Sequence, residues 1–104
     1  MILLSSNLVA NEYYLSSSVG SDNNAGKSND SPWKSFDRLK KVELKPGDKI
    51  LLKSGDIFIG SISIEIQGEM SNPIIISNYG DGKNPANIIV QNLEIVFRKS
   101  ALLH

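Results

Sequence analysis

From Lys49 onward the chain is written in short isoleucine-rich stretches broken by Gly, Pro, Asn and Asp, and few architectures accommodate that. Lys49-Ile50-Leu51-Leu52-Lys53 reads as a strand and Ser54-Gly55-Asp56 as a turn. Ile57, Ile59, Ile62, Ile64 and Ile66 follow, interleaved in their latter part with Ser61, Ser63 and Glu65. Alternation at period two puts one set of side chains on one face of a strand, with Gly60 marking a bend within it. Gly68 to Pro73 is the next turn, Ile74-Ile75-Ile76 the next strand and Tyr79-Gly80-Asp81-Gly82 the turn after it. Two further strands are expected, Ile88-Ile89-Val90 and Leu93-Glu94-Ile95-Val96-Phe97. Thirteen isoleucines in 104 residues favour sheet, because β-branched side chains suit a pleated, half-buried surface. Strand centres near Leu51, Ile64, Ile75 and Ile89 recur about every dozen residues, a spacing shared by sandwiches, barrels and β-solenoids. Ile74-Ile75-Ile76-Ser77-Asn78-Tyr79 and Ile88-Ile89-Val90-Gln91-Asn92-Leu93 share one form. Either their asparagines stack from coil to coil in a solenoid ladder, or two strands end in asparagine by chance.

Upstream, Tyr13-Tyr14-Leu15 is a short aromatic strand, and the polar stretch Ser16 to Ser31 reads as a surface loop. After Pro32-Trp33, Phe36 and Leu39 share one face of a short helix spanning Ser35 to Val42. Ser35 is one candidate N-cap; Ser31, with Pro32 at the first helical position, is the other. Asp37 and Lys40-Lys41 complement the helix ends, and Pro46-Gly47-Asp48 closes the segment. The first ten residues end in Leu-Val-Ala, which suits a signal peptidase, but they lack a basic n-region and a long apolar core. Residues 1–12 are therefore set apart as a leader, either the remnant of a secretion signal or a frayed strand, and 13–104 as the folded part.

Composition excludes several functions. Eleven basic and eleven acidic residues leave no net charge, so affinity for nucleic acid or anionic lipid driven by bulk charge is not expected. No apolar stretch is long enough to span a bilayer as a helix. There is no cysteine, and the one histidine is His104, so disulfides, thiolate zinc sites and Ser-His-Asp catalysis lack their components. A chain of this size supports one small core, with a folded surface of about 5,800 Å² if it closes into a globule.

Taken in order, these pieces resemble a known family. Tyr13-Tyr14-Leu15-Ser16, Gly20-Ser21-Asp22, Ala25-Gly26, Ser31-Pro32-Trp33-Lys34-Ser35-Phe36 and Leu44-Lys45-Pro46-Gly47-Asp48-Lys49-Ile50 resemble the N-terminal cap of right-handed parallel β-helix proteins of the pectate lyase-like superfamily. Ser54-Gly55-Asp56, Phe58, Gly60, Ile62, Asn72-Pro73-Ile74 and Tyr79-Gly80-Asp81-Gly82 resemble the first coils of its bacterial members, so the likeness covers roughly Tyr13 to Pro85. It implies an all-β chain, a right-handed parallel β-helix fragment with a short N-terminal capping helix, since a solenoid core needs a lid. It further implies a secreted or surface-borne bacterial protein whose full-length form is a polysaccharide lyase or glycoside hydrolase acting on acidic polysaccharide. Ca²⁺ is implied as a cofactor of that longer form and not of this chain. A non-catalytic β-helix adhesin or scaffold is the alternative, and a small free-standing β-sandwich a third. With only about two coils, the open coil end is expected to allow self-association.

No catalytic or cofactor-binding residue of the family carries over onto this chain, which alone is expected to be inactive, and a metal site is left unassigned. Asp48, Asp56, Glu65, Glu69 and Asp81 are carboxylates whose ordinary place is a turn or solvated face. Asp22-Asn23-Asn24-Ala25-Gly26 is similar to the start of a calcium loop, but Trp33 stands where an EF-hand places its bidentate Glu, and a turn held by Asx hydrogen bonds is the simpler reading. Gly80-Asp81-Gly82-Lys83 lacks the earlier glycine and following Ser or Thr of a phosphate loop and reads as a turn. Tyr13, Tyr14, Trp33 and Tyr79 would stack on sugars only if exposed.

Overall fold

A computed structural model describes residues 10–67, 73–81 and 83–98. The elements in chain order are β1 (Glu12–Leu15), a 3-10 helix (Phe36–Lys41), β2 (Glu43–Leu44), β3 (Lys49–Lys53), β4 (Ile57–Gln67), β5 (Ile75–Tyr79) and β6 (Asn87–Arg98). They form two three-stranded sheets, ordered β1-β3-β5 and β2-β4-β6. Every pairing is parallel. Successive strands alternate between the sheets, so the chain visits the second sheet before returning beside its previous strand in the first. Lys49 thus faces Ile75 and Ile57 faces Asn87, separations of 26 and 30 residues. The dozen-residue spacing of the sequence is the step between sheets, about half that separation. Parallel pairing throughout excludes the antiparallel sandwich.

One buried cluster joins the sheets. Tyr13 and Leu15 of β1 and Ile50 and Leu52 of β3 meet Phe58, Ile62, Ile64 and Ile66 of β4, with Leu44, Trp33, Phe36 and Leu39 completing it. Each apolar side chain fully enclosed this way contributes about 1.5–3 kcal/mol. Gly60 lies in the core-facing row of β4 at φ +146, and the register with β6 slips between Gly60 and Ser61. That slip lets β6 continue as one strand through Gln91 where the sequence pattern gives two, because a bulge absorbs the extra residue. The two asparagines of the echoed motif do not stack: Asn78 pairs with Leu52 in one sheet and Asn92 with Ser61 in the other.

The capping helix corrects the expectation in kind. The described residues contain no α-helix here; the segment is six residues of 3-10 helix with Ser35 as N-cap, its Oγ accepting from the Asp37 amide at 3.3 Å. Residues three apart eclipse in a 3-10 helix, so Phe36 and Leu39 stand directly in line, 6% and 1% exposed, and Phe36 meets Phe58 at 5.5 Å. The strand β2 begins within two residues of the helix end, which leaves no length for a longer helix.

The stretch from Ser16 to Ser31 does more than run over the surface. The Tyr14 amide donates to Gly26 O, the Trp33 amide to Tyr14 O and the Ser16 amide to Trp33 O, each at 2.8 Å. These bonds occupy the edge of β1 that faces away from β3. Gly26 is required at this approach: its φ is +73, and a Cβ there would lie 2.3 Å from the Trp33 ring. Asn11 and Glu12, grouped by sequence with the leader, join the sheet: Lys49 N donates to Asn11 O at 2.9 Å and Glu12 pairs with Lys49. Of the leader, residues 1–9 lie outside the described residues.

At the other end, no strand among the described residues lies beyond β5 and β6. The chain exposes 6572 Å², against about 5,800 Å² for a closed globule of its mass. Ile75, Ile76, Ile88, Ile89, Val90, Leu93, Ile95 and Phe97, all on β5 or β6, are 39% to 66% exposed.

Candidate functional site

Three carboxylates in the turns and loops, Asp22, Asp48 and Asp56, have specific partners. Asp48 follows the Pro46-Gly47 turn and is fully buried; its Oδ1 accepts from the Asn11 amide and its Oδ2 from the Lys45 amide, both at 2.9 Å. It therefore ties the start of β1 to the start of β3. Asp56, at the turn between β3 and β4, accepts from Ser16 Oγ at 2.7 Å and from the Ser18 amide at 3.3 Å. Burial pushes its carboxyl up, but the Ser16 and Ser18 donors and the Lys53 charge outweigh this and hold it below the usual carboxylate range. Nothing in the sequence announces that Ser16 and Ser18 would meet a residue about 40 positions on; parallel stacking of turns brings them together.

Asp22 plays the same part at the helix. It accepts from the Lys34 amide at 2.9 Å, the Ser35 amide at 3.0 Å and Ser35 Oγ at 2.6 Å. Burial raises this carboxyl too, and the Ser35 and Lys34 donors with the Arg38 charge more than offset it, leaving it lowered. Asn24 binds Pro32 O through Nδ2 at 2.8 Å and accepts the Trp33 Nε1 proton on its carbonyl at 2.7 Å. The oxygens of Asp22 and the Asn24 carbonyl are thus turned to protein donors, and the loop does not fit Ca²⁺, which needs six or more oxygens converging on one point. Among the described residues no group of three or more His, Asp or Glu side chains gathers. Asp81 sits in an exposed turn with Oδ1 3.5 Å from the Lys83 amide, and Glu65 stands in register with Glu43 and Val96. Glu69 and Gly82 lie outside the described residues.

These two lowered carboxyls set an acid limit. A carboxyl whose folded pKa lies below its unfolded value contributes stability above the unfolded value, near pH 4, that is lost as pH falls through the folded one. The urea midpoint is therefore expected to hold from pH 7 to about 5 and to fall below about 4. In the Asp22→Asn/Asp56→Asn double variant the midpoint at pH 7 should be lower and its acid slope shallower; an unchanged slope would contradict this assignment.

The aromatic residues divide by face. Tyr13 and Trp33 are 6% and 4% exposed and stacked, with centroids 5.7 Å apart and planes 18° from parallel. They are core. Tyr14 and Tyr79 are half-buried and meet edge to face at 5.1 Å, with Tyr14 Oη donating to Glu12 at 3.0 Å. Tyr79 Oη is buried without a hydrogen-bond partner among the described residues, and burial followed by the Asp56 charge raises its pKa. This pair is the aromatic surface the fold leaves partly accessible to a sugar ring. A shallow hollow of about 420 Å³ is lined by Tyr13, Trp33, Lys27, Lys41, Glu43 and Lys45.

No protein-family model matches the chain. Over 84 aligned residues, 77% of the chain, it is 39% identical to a lacto-N-biosidase of Bifidobacterium longum subsp. longum, of which that stretch is 5%. Crystal structures of a GH136 lacto-N-biosidase from Eubacterium ramulus, native and selenomethionine forms, superpose with a TM-score of 0.61 at 38% identity. That superposition covers 72% of this chain and 12% of the enzyme. The chain therefore spans a small fraction of the length of these relatives, whose glycoside-hydrolase character makes this a carbohydrate-enzyme-related region.

Proposed function

We propose that the chain is the N-terminal cap and first coils of a right-handed parallel β-helix in a secreted or surface-borne glycoside hydrolase, with the hydrolytic residues lying outside it. The observation that carries this reading is the pair of unlike ends. Parallel strands alternate between two sheets, one outer edge is closed by the Gly26–Trp33 loop, and the other has no strand beyond it among the described residues. A stacked-coil architecture needs one terminal lid and adds coils at its other end. The identity to lacto-N-biosidases favours hydrolysis over the lyase chemistry that the superfamily resemblance also implies. The carboxylates here serve the lid: Asp22 fixes the helix, Asp48 and Asp56 join neighbouring turns.

Two measurements test this. The purified chain should release no p-nitrophenol from p-nitrophenyl lacto-N-bioside, and turnover would overturn the assignment of catalysis to other residues. Grafted in place of the matching segment of the Eubacterium ramulus lacto-N-biosidase, it should yield a folded enzyme retaining activity within about tenfold, because a lid contributes stability rather than transition-state contacts. A chimera that fails to fold under conditions where the parent folds would count against the cap.

A further inference from the structure

The chain carries no net charge, but its charges are not spread evenly. From Arg38 to Lys45 four basic residues, Arg38, Lys40, Lys41 and Lys45, stand against one acidic residue, Glu43. The fold adds Lys27 from the polar loop, so that Lys27, Lys41, Lys45 and Glu43 line the shallow hollow beside Tyr13 and Trp33. Two cations of that stretch are engaged: Lys40 pairs with Asp37 at 4.0 Å, and Arg38 lies 5.5 Å from the Trp33 ring centre. Lys27, Lys41 and Lys45 are exposed and form no ion pair among the described residues. Their stems leave fixed backbone. Gly26, beside Lys27, donates its amide to Ser31 O and accepts from the Tyr14 amide, and Lys27 Nζ sits 4.7 Å over the Tyr13 ring. The Val42 amide, next to Lys41, donates to Leu39 O, and the Lys45 amide donates to the buried Asp48. Every lining residue belongs to β1, its loop or the segment from the helix to β2, so coils added beyond β5 and β6 leave the hollow uncovered.

The geometry points to a binding site on the closed end of the fold, in which Lys27, Lys41 and Lys45 hold a glycan bearing carboxylate or sulfate groups. Three unpaired ammoniums against the one carboxylate of Glu43 leave the hollow positive, and each lysine offers an oxyanion three rotatable donors. The volume falls within the roughly 300–1,000 Å³ of small-ligand sites, while the shallow shape suits a sugar chain laid across it better than an enclosed molecule. Nucleic acid and membrane fit less well. Base stacking needs an open aromatic face, yet Tyr13 and Trp33 are buried. Insertion into a bilayer needs protruding apolar side chains, and none of the large exposed ones lies in this lining. A charged sugar chain asks only for ion pairs and hydroxyl partners, and Glu43 supplies an acceptor for hydroxyls while repelling misplaced anions. The site goes beyond the hydrolase reading and does not depend on it: a failed chimera with glycan binding retained, or the converse, separates the two.

Calorimetric titration of the full chain with dextran sulfate, polygalacturonate and neutral dextran tests this. At least one of the two anionic polymers should bind, and binding should weaken at least about fivefold between roughly 50 and 300 mM salt as exposed ion pairs are screened. Binding of dextran sulfate alone assigns sulfate, binding of polygalacturonate alone assigns carboxylate, and binding of both assigns the oxyanion they share. Lys41→Gln/Lys45→Gln should weaken binding about tenfold and Lys27→Gln about threefold, whereas Glu43→Gln, which removes a like charge, should strengthen it about twofold. Lys49→Gln/Lys83→Gln takes the same net charge from elsewhere and should change affinity by less than about twofold. No binding of either anionic polymer, equal binding of neutral dextran or of a DNA duplex, or equal losses in the two double variants would each overturn the inference. Should Lys41→Gln/Lys45→Gln misfold, an NMR titration of the unmodified chain with a short oligosaccharide of the bound polymer decides. The amides of Lys27, Lys41 and Lys45 should shift while those of β6 do not, and shifts confined to other residues refute the site.

Discussion

Replacing Trp33 by alanine is expected to remove about 3–5 kcal/mol of unfolding free energy, a large share of the roughly 5–15 kcal/mol available to a small domain. The ring is 4% exposed, lies flat on Tyr13 on one side, has the Arg38 guanidinium 5.5 Å from its centre and donates its Nε1 proton to Asn24 O. Truncation therefore opens a cavity inside the lid, strands the Asn24 carbonyl and removes the ring against which Gly26 is seated. A melting temperature lower by roughly 15–30 °C follows for a chain of this size. Trp33→Phe keeps most of the stacking and loses the indole N–H, so its cost should be nearer about 1–2 kcal/mol. Circular dichroism melts of the three proteins check both values, and a Trp33→Ala melt within about 5 °C of the parent would show that the loop closes the β1 edge without its ring.

Asp48→Ala is expected to cost nearly as much, about 3 kcal/mol, although it removes only a few atoms. The carboxylate is wholly enclosed and serves two backbone amides, Asn11 from the strand before and Lys45 from the turn it closes. Its loss leaves both donors without the acceptor that compensates them for leaving water, and hydrogen bonds to a charged group are each worth more than neutral ones. Asp48→Asn keeps one acceptor oxygen and places a donor amide where the second was, so it should fall between the parent and Asp48→Ala. Urea titrations at pH 7 give the ordering. An alanine variant as stable as the parent would mean that β1 is held to β3 by its ladder alone.

How much of this was visible in the residues differs from one element to the next. β3 stands where Lys49–Lys53 was read, since five residues of near-continuous apolar character between two turns admit little else. Gly60 was legible as a bend because glycine in an isoleucine strand has few other uses, and it proved to sit at the register slip. β2 was invisible, because two residues carry no periodicity. A short helix was expected without its type, since Phe36 and Leu39, three apart, fit an α-helix and a 3-10 helix equally. The polar loop showed its composition but not its purpose: its backbone does the pairing, and backbone groups leave no trace in side-chain pattern.

For the candidate site the division is sharper. Asp48 and Asp56 were identifiable as turn carboxylates, but their partners Asn11 and Ser16 lie 37 and 40 positions away. The outer pair Tyr14 and Tyr79 and the inner pair Tyr13 and Trp33 look alike as a list of aromatics; strand phase alone buries one pair and half-exposes the other.

The sequence by itself determined that this is an all-β chain with a short amphipathic segment, no net charge, no cysteine and a single histidine, because those properties reside in local periodicity and in side-chain type. Only the tertiary structure decided that the strands are parallel and alternate between two sheets, that one edge is sealed by the chain's own loop, and that the other has no strand beyond it among the described residues. Those outcomes depend on which backbone groups find each other across 26 to 40 residues of intervening chain, and a hydrogen bond between peptide groups is the same whatever side chains flank it.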